Sequence, residues 1–200
     1  VTDHTPGYGS AAKYIASITK EVIRDGLVYG TKSVTILEIM GRNAGWLTGA
    51  AALAKGEDCE GPDMIFLPEI PFDVDEFMKK VEQLQKEKSS VVVAVSEGVK
   101  VADGRYVCEL TDNIDYVDAF GHRQLTGTAR YLAERISREV GCKTRAIEFN
   151  SLQRCASHIV GRVDITEAFQ VGGAAVKAAF EGETAKMIIL KRISDDPYLC

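Results

Sequence analysis

No apolar run in this 200-residue chain approaches the ~20 residues that span a bilayer, and its amino terminus lacks a basic-then-hydrophobic signal segment. Neither a membrane helix nor a secretory leader is expected. Basic residues are the minority, and 24 Lys and Arg against 29 Asp and Glu leave a formal net charge of −5 with the signs interspersed. That excludes the basic stripe by which nucleic acid or an anionic membrane surface would be held, and leaves any phosphate ligand to a few local cations. Cysteine is sparse and scattered. Cys59, Cys108, Cys142, Cys155 and Cys200 are odd in number and form no C-x-x-C pair. Free thiols in a reducing, cytoplasmic compartment fit this better than a disulfide framework or a zinc site. His4, His122 and His158 have no i, i+4 partner or nearby ligand cluster, so all three are read as structural or surface residues, and no metal site is expected in the chain. No G-x-G-x-x-G or P-loop follows a predicted strand, which removes the usual nucleotide-binding fingerprints.

Nearly half of the residues are apolar, enough for one substantial core, and no linker, repeat or low-complexity segment interrupts the chain, so a single domain over 1–200 is expected. Ile15, Ile18 and Val22 follow helical spacing, with Ser10 as a fair cap, and predict a first helix of about four turns. The run from Val34 to Ile39 reads as a buried strand, followed by a turn carrying Gly41 and an alanine-rich helical stretch to about Lys55, whose Trp46 should pack inward. Met64–Leu67 is a second strand. Asp73 or Asp75 then starts a helix with Phe77, Val81 and Leu84 on one face and a solvated charged face over Lys79–Lys88. Val91–Val95 is a third strand, and Gly98–Asp115 an excursion, in which a hairpin is one reading. A helix with Ala129, Leu132, Ile136 and Val140 inward should stop at Gly141. Thr144–Phe149 is a fourth strand. Asp164 and Glu167 have capping-box spacing ahead of a helix to about Phe180, and Met187–Leu190 reads as a last strand. Strands without a polar face, alternating with helices, predict an α/β fold: a three-layer, doubly wound, largely parallel sheet covered on both faces.

In such a sheet ligands bind beyond the carboxyl ends of the strands. Three segments fall there: Met40–Gly41–Arg42–Asn43, Ser96–Glu97–Gly98, and Asn150–Ser151–Leu152–Gln153–Arg154. Gly41 would let backbone N–H groups approach an anion at a helix start, and Arg42 adds a fixed cation; the alternative is a tight turn with a solvating arginine. Glu97 could accept hydrogen bonds from sugar hydroxyls, or could be a helix-start or salt-bridge carboxylate. Arg145 and Arg154 flank one strand and could grip a phosphate, or could be surface arginines.

Together these segments resemble the phosphofructokinase family over nearly the whole chain. Glu38–Ile39–Met40–Gly41–Arg42–Asn43–Ala44–Gly45–Trp46–Leu47 is similar to the family's Met-Gly-Arg segment, which contacts fructose 6-phosphate and the transferring phosphoryl group. Ser96–Glu97–Gly98 resembles its sugar-hydroxyl-binding glutamate segment. Thr144–Arg145–Ala146 and Leu152–Gln153–Arg154 resemble its two sugar-phosphate arginine segments. The resemblance implies a phosphofructokinase-like fold, incomplete relative to the family, in which 1–200 is the sugar-phosphate-binding, carboxyl-terminal half. It assigns Arg42 to the chemistry, Met40, Gly41 and Glu97 to orienting the sugar, and Arg145 and Arg154 to the 6-phosphate, with Arg145 acting across an interface in a homo-oligomer, dimer or tetramer. Ser151 stands where many members have His or Tyr. Ser33 stands where bacterial ATP-using members have an arginine, with Lys32 beside it as a possible phosphate contact.

The opening Thr2–Asp3–His4–Thr5–Pro6–Gly7–Tyr8–Gly9–Ser10 is similar to the stretch downstream of the family's Thr-Ile-Asp-Asn-Asp signature, which carries the catalytic base. That signature and the glycine-rich loops for donor and magnesium are absent. The chain also opens in loop-like sequence without an initiator methionine, so a fragment of a longer protein is expected. The implied activity is phosphoryl transfer in glycolysis from pyrophosphate, or ATP, to the 1-hydroxyl of fructose 6-phosphate, with Mg2+ held mainly outside these residues. Asp3–His4–Thr5–Pro6–Gly7, Asn43–Ala44–Gly45–Trp46 and Cys155–Ala156–Ser157–His158 resemble the pyrophosphate-using branch more than the short ATP enzymes. The alternative is a sugar-phosphate-binding module or truncated piece without catalysis.

Overall fold

Residues 4–110 and 127–200 are described by the structure, a computed structural model. The elements in chain order are α1 (Tyr8–Val28), β1 (Ser33–Ile39), α2 (Trp46–Gly49) with a 3-10 turn (Ala50–Ala54), β2 (Met64–Phe66), α3 (Val74–Glu87), β3 (Ser90–Ser96), a 3-10 turn (Val107–Leu110), α4 (Thr128–Glu139), β4 (Lys143–Glu148), α5 (Leu152–Cys155), a 3-10 turn (Ser157–Ile159), α6 (Arg162–Phe180), β5 (Ser194–Asp195) and β6 (Tyr198–Leu199). They fall into two compact units, one of Tyr14–Gln153 and one of Val1–Lys13 with Arg154–Cys200.

The larger unit is built on one four-stranded sheet in the order β2-β3-β1-β4, with every neighbouring pair parallel. All seven residues of both β1 and β3 are buried, as befits central strands of mostly apolar sequence. Val34, Ile36, Val91, Val93 and Val95 face one way and pack with Phe77, Met78 and Val81 of α3 and Ala129, Leu132 and Ile136 of α4. By strand alternation Leu37, Ile39 and Ser90 face the other way. There α1 runs so close that a Cβ on Gly26 would lie 2.3 Å from Ser90 Oγ. Helices therefore cover both faces of the sheet, as the sequence pattern predicts.

Local differences have local causes. Asp73 does cap α3, accepting the Glu76 N–H at 2.9 Å, and Gly141, at φ 73°, follows α4 as its stop. The alanine-rich stretch is not one helix but the four residues of α2 and then a 3-10 turn. It anchors itself through Thr48, Ala50, Ala51 and Ala54, so Trp46, at its first position, is 75% exposed rather than packed inward. Of the expected excursion after β3, Lys100 and Tyr106 form an antiparallel bridge; residues 111–115 lie outside the described residues, as does His122.

In the smaller unit α6 starts after Gly161, so Asp164 is not its cap and the capping box does not form. Asp164 instead accepts the backbone N–H groups of Gly7 and Ser10, each at 2.8 Å, and the Ser10 hydroxyl. Because α1 begins at Tyr8, Ser10 lies inside it and the carboxylate of Asp164 satisfies its first turn. Glu167 is 5% exposed, bonded to His4 Nε2 at 2.7 Å and to the Tyr198 hydroxyl at 2.6 Å. His4 is thus a structural residue. The Met187–Leu190 strand is not formed; Leu190 makes a single antiparallel bridge to His4, and the pair β5–β6 was not anticipated. Phe169, Val176 and Phe180 of α6 are exposed.

Candidate functional site

The carboxyl ends of β1 and β3 are neighbours because the strands pair from Ser33↔Ser90 to Ile39↔Ser96. Glu97 N–H continues the ladder to the Ile39 carbonyl at 3.0 Å, which brings the Met40–Gly41–Arg42 and Ser96–Glu97–Gly98 segments together. They are packed backbone on backbone: a Cβ added to Gly98 would lie 2.0 Å from the Arg42 carbonyl oxygen, so only glycine fits. Ser96 Oγ donates to the Gly41 carbonyl at 2.7 Å and accepts the Gly98 N–H at 3.1 Å. Glu97 Oε1 accepts the Gly41 N–H at 3.2 Å.

The segment after β4 joins this cluster through Gln153. Its buried amide accepts the Met40 N–H at 2.9 Å and donates to the Met40 carbonyl at 3.3 Å, copying the pairing of a backbone strand. Asn150 adopts a left-handed conformation, φ 48°, that turns the chain sharply after β4, and Ser151 is exposed.

Two carboxylates here are shifted. Burial pushes Glu97 above the ordinary carboxylate range, while the Gly41 N–H and the Arg42 charge pull it back. Glu38, 3% exposed at the end of β1, is pushed up to about 7, chiefly by burial. Bonds from the Ala129 and Gly127 N–H groups oppose that rise, and Glu148 and Glu97 add to it.

Of the residues singled out in the sequence, Met40, Gly41, Arg42 and Glu97 meet in this cluster. Gly41 does not open a helix. α2 begins five residues later, and the Gly45 N–H at its entry is given to Glu69 Oε1 at 2.7 Å. The Gly41 donor is likewise engaged by Glu97 rather than left for an anion. Lys32 precedes β1, at the opposite end of the sheet, seven residues or about 23 Å from Ile39. It lines an open groove of about 670 Å3 together with Lys86, Lys143, Glu82 and Glu139. Arg145 pairs with Thr35, about 13 Å short of Ile39, and lays its guanidinium over the Tyr29 ring at 5.7 Å, with Lys143 over the same ring at 5.9 Å. Arg154 is exposed on α5 and belongs to the smaller unit.

Sequence reading missed three residues that build the site: Glu38, Glu69 and Gln153. A carboxylate inside an otherwise apolar strand was the one visible signal. Glu69 and Gln153 act through contacts 24 and 113 residues away in the chain.

Comparison with known proteins supplies a context for this geometry. The model of the family described as phosphofructokinase matches residues 1–179. The chain is 41% identical over 200 residues to the pyrophosphate–fructose 6-phosphate 1-phosphotransferase of Halomonas elongata, covering 99% of this chain and 47% of that protein. The enzyme of the same name from Xanthomonas campestris pv. campestris is also 41% identical over 200 residues, with the same coverage. The crystal structure of the pyrophosphate-dependent phosphofructokinase from Marinobacter aquaeolei superposes with a TM-score of 0.72 at 35% identity, over 99% of this chain and 45% of that one. The chain spans about half the length of the curated relatives it matches.

Proposed function

The chain belongs to the phosphofructokinase family, and from that premise we propose that it is the sugar-phosphate-binding domain, in these 200 residues, of an enzyme that phosphorylates fructose 6-phosphate at its 1-hydroxyl with pyrophosphate as donor. The observation that carries this reading is the interlocked pair of loops, Met40–Gly41–Arg42 and Ser96–Glu97–Gly98, in which one glutamate, one arginine and several backbone groups converge beyond the ends of two parallel strands. Arg42 is the cation next to the transferring phosphoryl group. Met40, Gly41 and Glu97 orient the sugar, and Ser151 and Arg154 attend its 6-phosphate. The barrier falls by placing fixed positive charge where negative charge spreads during transfer, while a carboxylate outside this chain accepts the hydroxyl proton.

Pyrophosphate rather than ATP is favoured by the names of the 41%-identical relatives. Lys32 and Arg145 serve a neighbouring copy in a homo-oligomer. This is supported by their distance from the Gly41 loop and by the exposure of Lys32. Mg2+ would accompany the phosphoryl donor; among the described residues there is no group of three or more His, Cys, Asp or Glu placed to hold a metal ion. Five free cysteines fit a cytoplasmic setting, and no helix among the described residues is long and apolar enough to cross a membrane. Exposed Phe169, Val176 and Phe180 favour a role within a larger assembly.

The test is a calorimetric titration of the chain with fructose 6-phosphate, with fructose as the control lacking phosphate. Saturable binding that needs the phosphate and is lost in Arg154→Ala is the expected result. In the enzyme carrying the donor half, Arg42→Ala should lower turnover more than it raises the Michaelis constant. An unchanged turnover number would remove Arg42 from the chemistry.

A further inference from the structure

The penultimate residue of β1, one of the two inner strands of the sheet, is a carboxylate that has no apolar reason to be there. Glu38 shares its face of β1 with Val34 and Ile36, and so points into the layer filled by α3 and α4. Its Oε2 accepts the Ala129 N–H at 2.7 Å. Ala129 is the second residue of α4, and the residue before that helix, Gly127 at φ 105°, offers no side chain to cap it. A strand glutamate therefore supplies the cap that the helix lacks.

The same residue holds the site from its backbone. The Glu38 carbonyl accepts the Phe149 N–H at 3.0 Å, and the Phe149 carbonyl accepts the Leu152 N–H at 3.0 Å. The next residue, Gln153, clamps both backbone groups of Met40. Thus the start of α4, the turn after β4 and the Met40–Gly41 backbone are all tied to one residue. Like-charged groups face it: Glu148, its register partner on β4, and Glu97 beyond β3. The buried Cys108 thiol, on the 3-10 turn before α4, feels its charge in turn.

We propose that Glu38 is a positioning residue for the Gly41–Glu97 loops, a proton switch that passes its charge state from the first turn of α4 to the backbone of Met40 and Gly41. The proposal rests on the reading above only in naming a sugar phosphate as the ligand of those loops. With its proton, Glu38 leaves the hydrogen bond between Glu97 and Gly41 undisturbed. Without it, a buried charge draws harder on the amides that start α4 and repels Glu97, adding negative charge behind a loop meant for an anion. Binding of the phosphorylated sugar then weakens as the pH rises.

Amide chemical shifts of the chain, followed between about pH 5.5 and 8.5, read the switch directly. Ala129 and Gly41 should titrate together with a midpoint of about 7. Glu38→Gln should abolish the Ala129 transition while keeping the acceptor, and leave Gly41 only the transition of its own partner, Glu97. Glu148→Gln, which leaves Glu38 in place, should lower the midpoint. Because the fold binds this proton more tightly than the unfolded chain does, the contribution of Glu38 to stability should be full below about 4.5 and be lost as the pH rises through about 7. Glu38→Gln should flatten that slope. An Ala129 amide that does not move in the wild type, an Ala129 transition that survives in Glu38→Gln, or a Gly41 titration that is the same in both proteins overturns the proposal. Fructose 6-phosphate affinity at the two ends of the range supplies the functional arm, with a larger loss on raising the pH in the wild type than in Glu38→Gln. Should the ligand fail to bind at every pH, the functional reading fails, and the amide titrations still decide between a switch and a fixed cap.

Discussion

The two ends of β1 carry the residues that matter, and they are built in opposite ways. At the carboxyl end, backbone lies against backbone, and a serine hydroxyl, a glutamate and a glutamine amide each close a loop onto the next. At the amino end, Lys143 and Arg145 share the face of Tyr29, and Lys32 is exposed on a flexible stem. The first end is ordered before any ligand arrives. The second must be ordered by whatever it meets, at a cost of up to about 2 kcal/mol of rotamer entropy for each long side chain. Precision is placed at the carboxyl end of β1, and adaptable charge at its amino end.

The contrast can be broken most severely at Gly98. Gly98→Ala should destabilise the fold at the upper end of about 1–3 kcal/mol, because the Arg42 carbonyl must move to admit the methyl group. Chemical denaturation would measure the loss, and a midpoint equal to wild type would show the loops to be looser than described. Removing the clamp is milder. Gln153→Ala should cost about 2 kcal/mol, because the Met40 N–H and carbonyl lose their partner inside a buried site. Gln153→Glu should recover only part of this, since a carboxylate accepts from Met40 N–H but cannot donate to its carbonyl. At the other end, Arg145→Ala should change stability by no more than about 0.5–1 kcal/mol, the worth of a half-exposed cation over a ring. A thermal unfolding shift as large as that of Gln153→Ala would erase the distinction between the two ends.

Residues whose surroundings are set by nearby sequence were legible. β1 announced itself as a mostly apolar run and β3 as an unbroken one, Asp73 as the cap of α3 and Gly141 as the stop of α4. The three segments beyond the strands were legible too, because topology alone brings them to one edge. What failed were inferences that needed a distant partner. Ser10 and Asp164 each look like a local cap, yet they meet one another across 154 residues. Trp46 looks like a core residue until α2 proves too short to present it inward. Met187–Leu190 has the composition of a strand, yet only Leu190 pairs, in a single bridge to His4, 186 residues away in the chain. Glu38 was passed over because an apolar strand tolerates a carboxylate only when another element supplies its donors, and that element, α4, lies 91 residues on.

The carboxylate of Asp164 also has a consequence for the order of events at the ribosome. Chain synthesis delivers Gly7 and Ser10 more than 150 residues before the side chain that accepts their amide protons. Until then the leading turn of α1 can bond only to water, and it stays frayed while the strands behind it emerge and pair. The start of α1 thus stays unclosed until Asp164 has been made, and the loop that its carboxylate closes is among the longest made by the described residues.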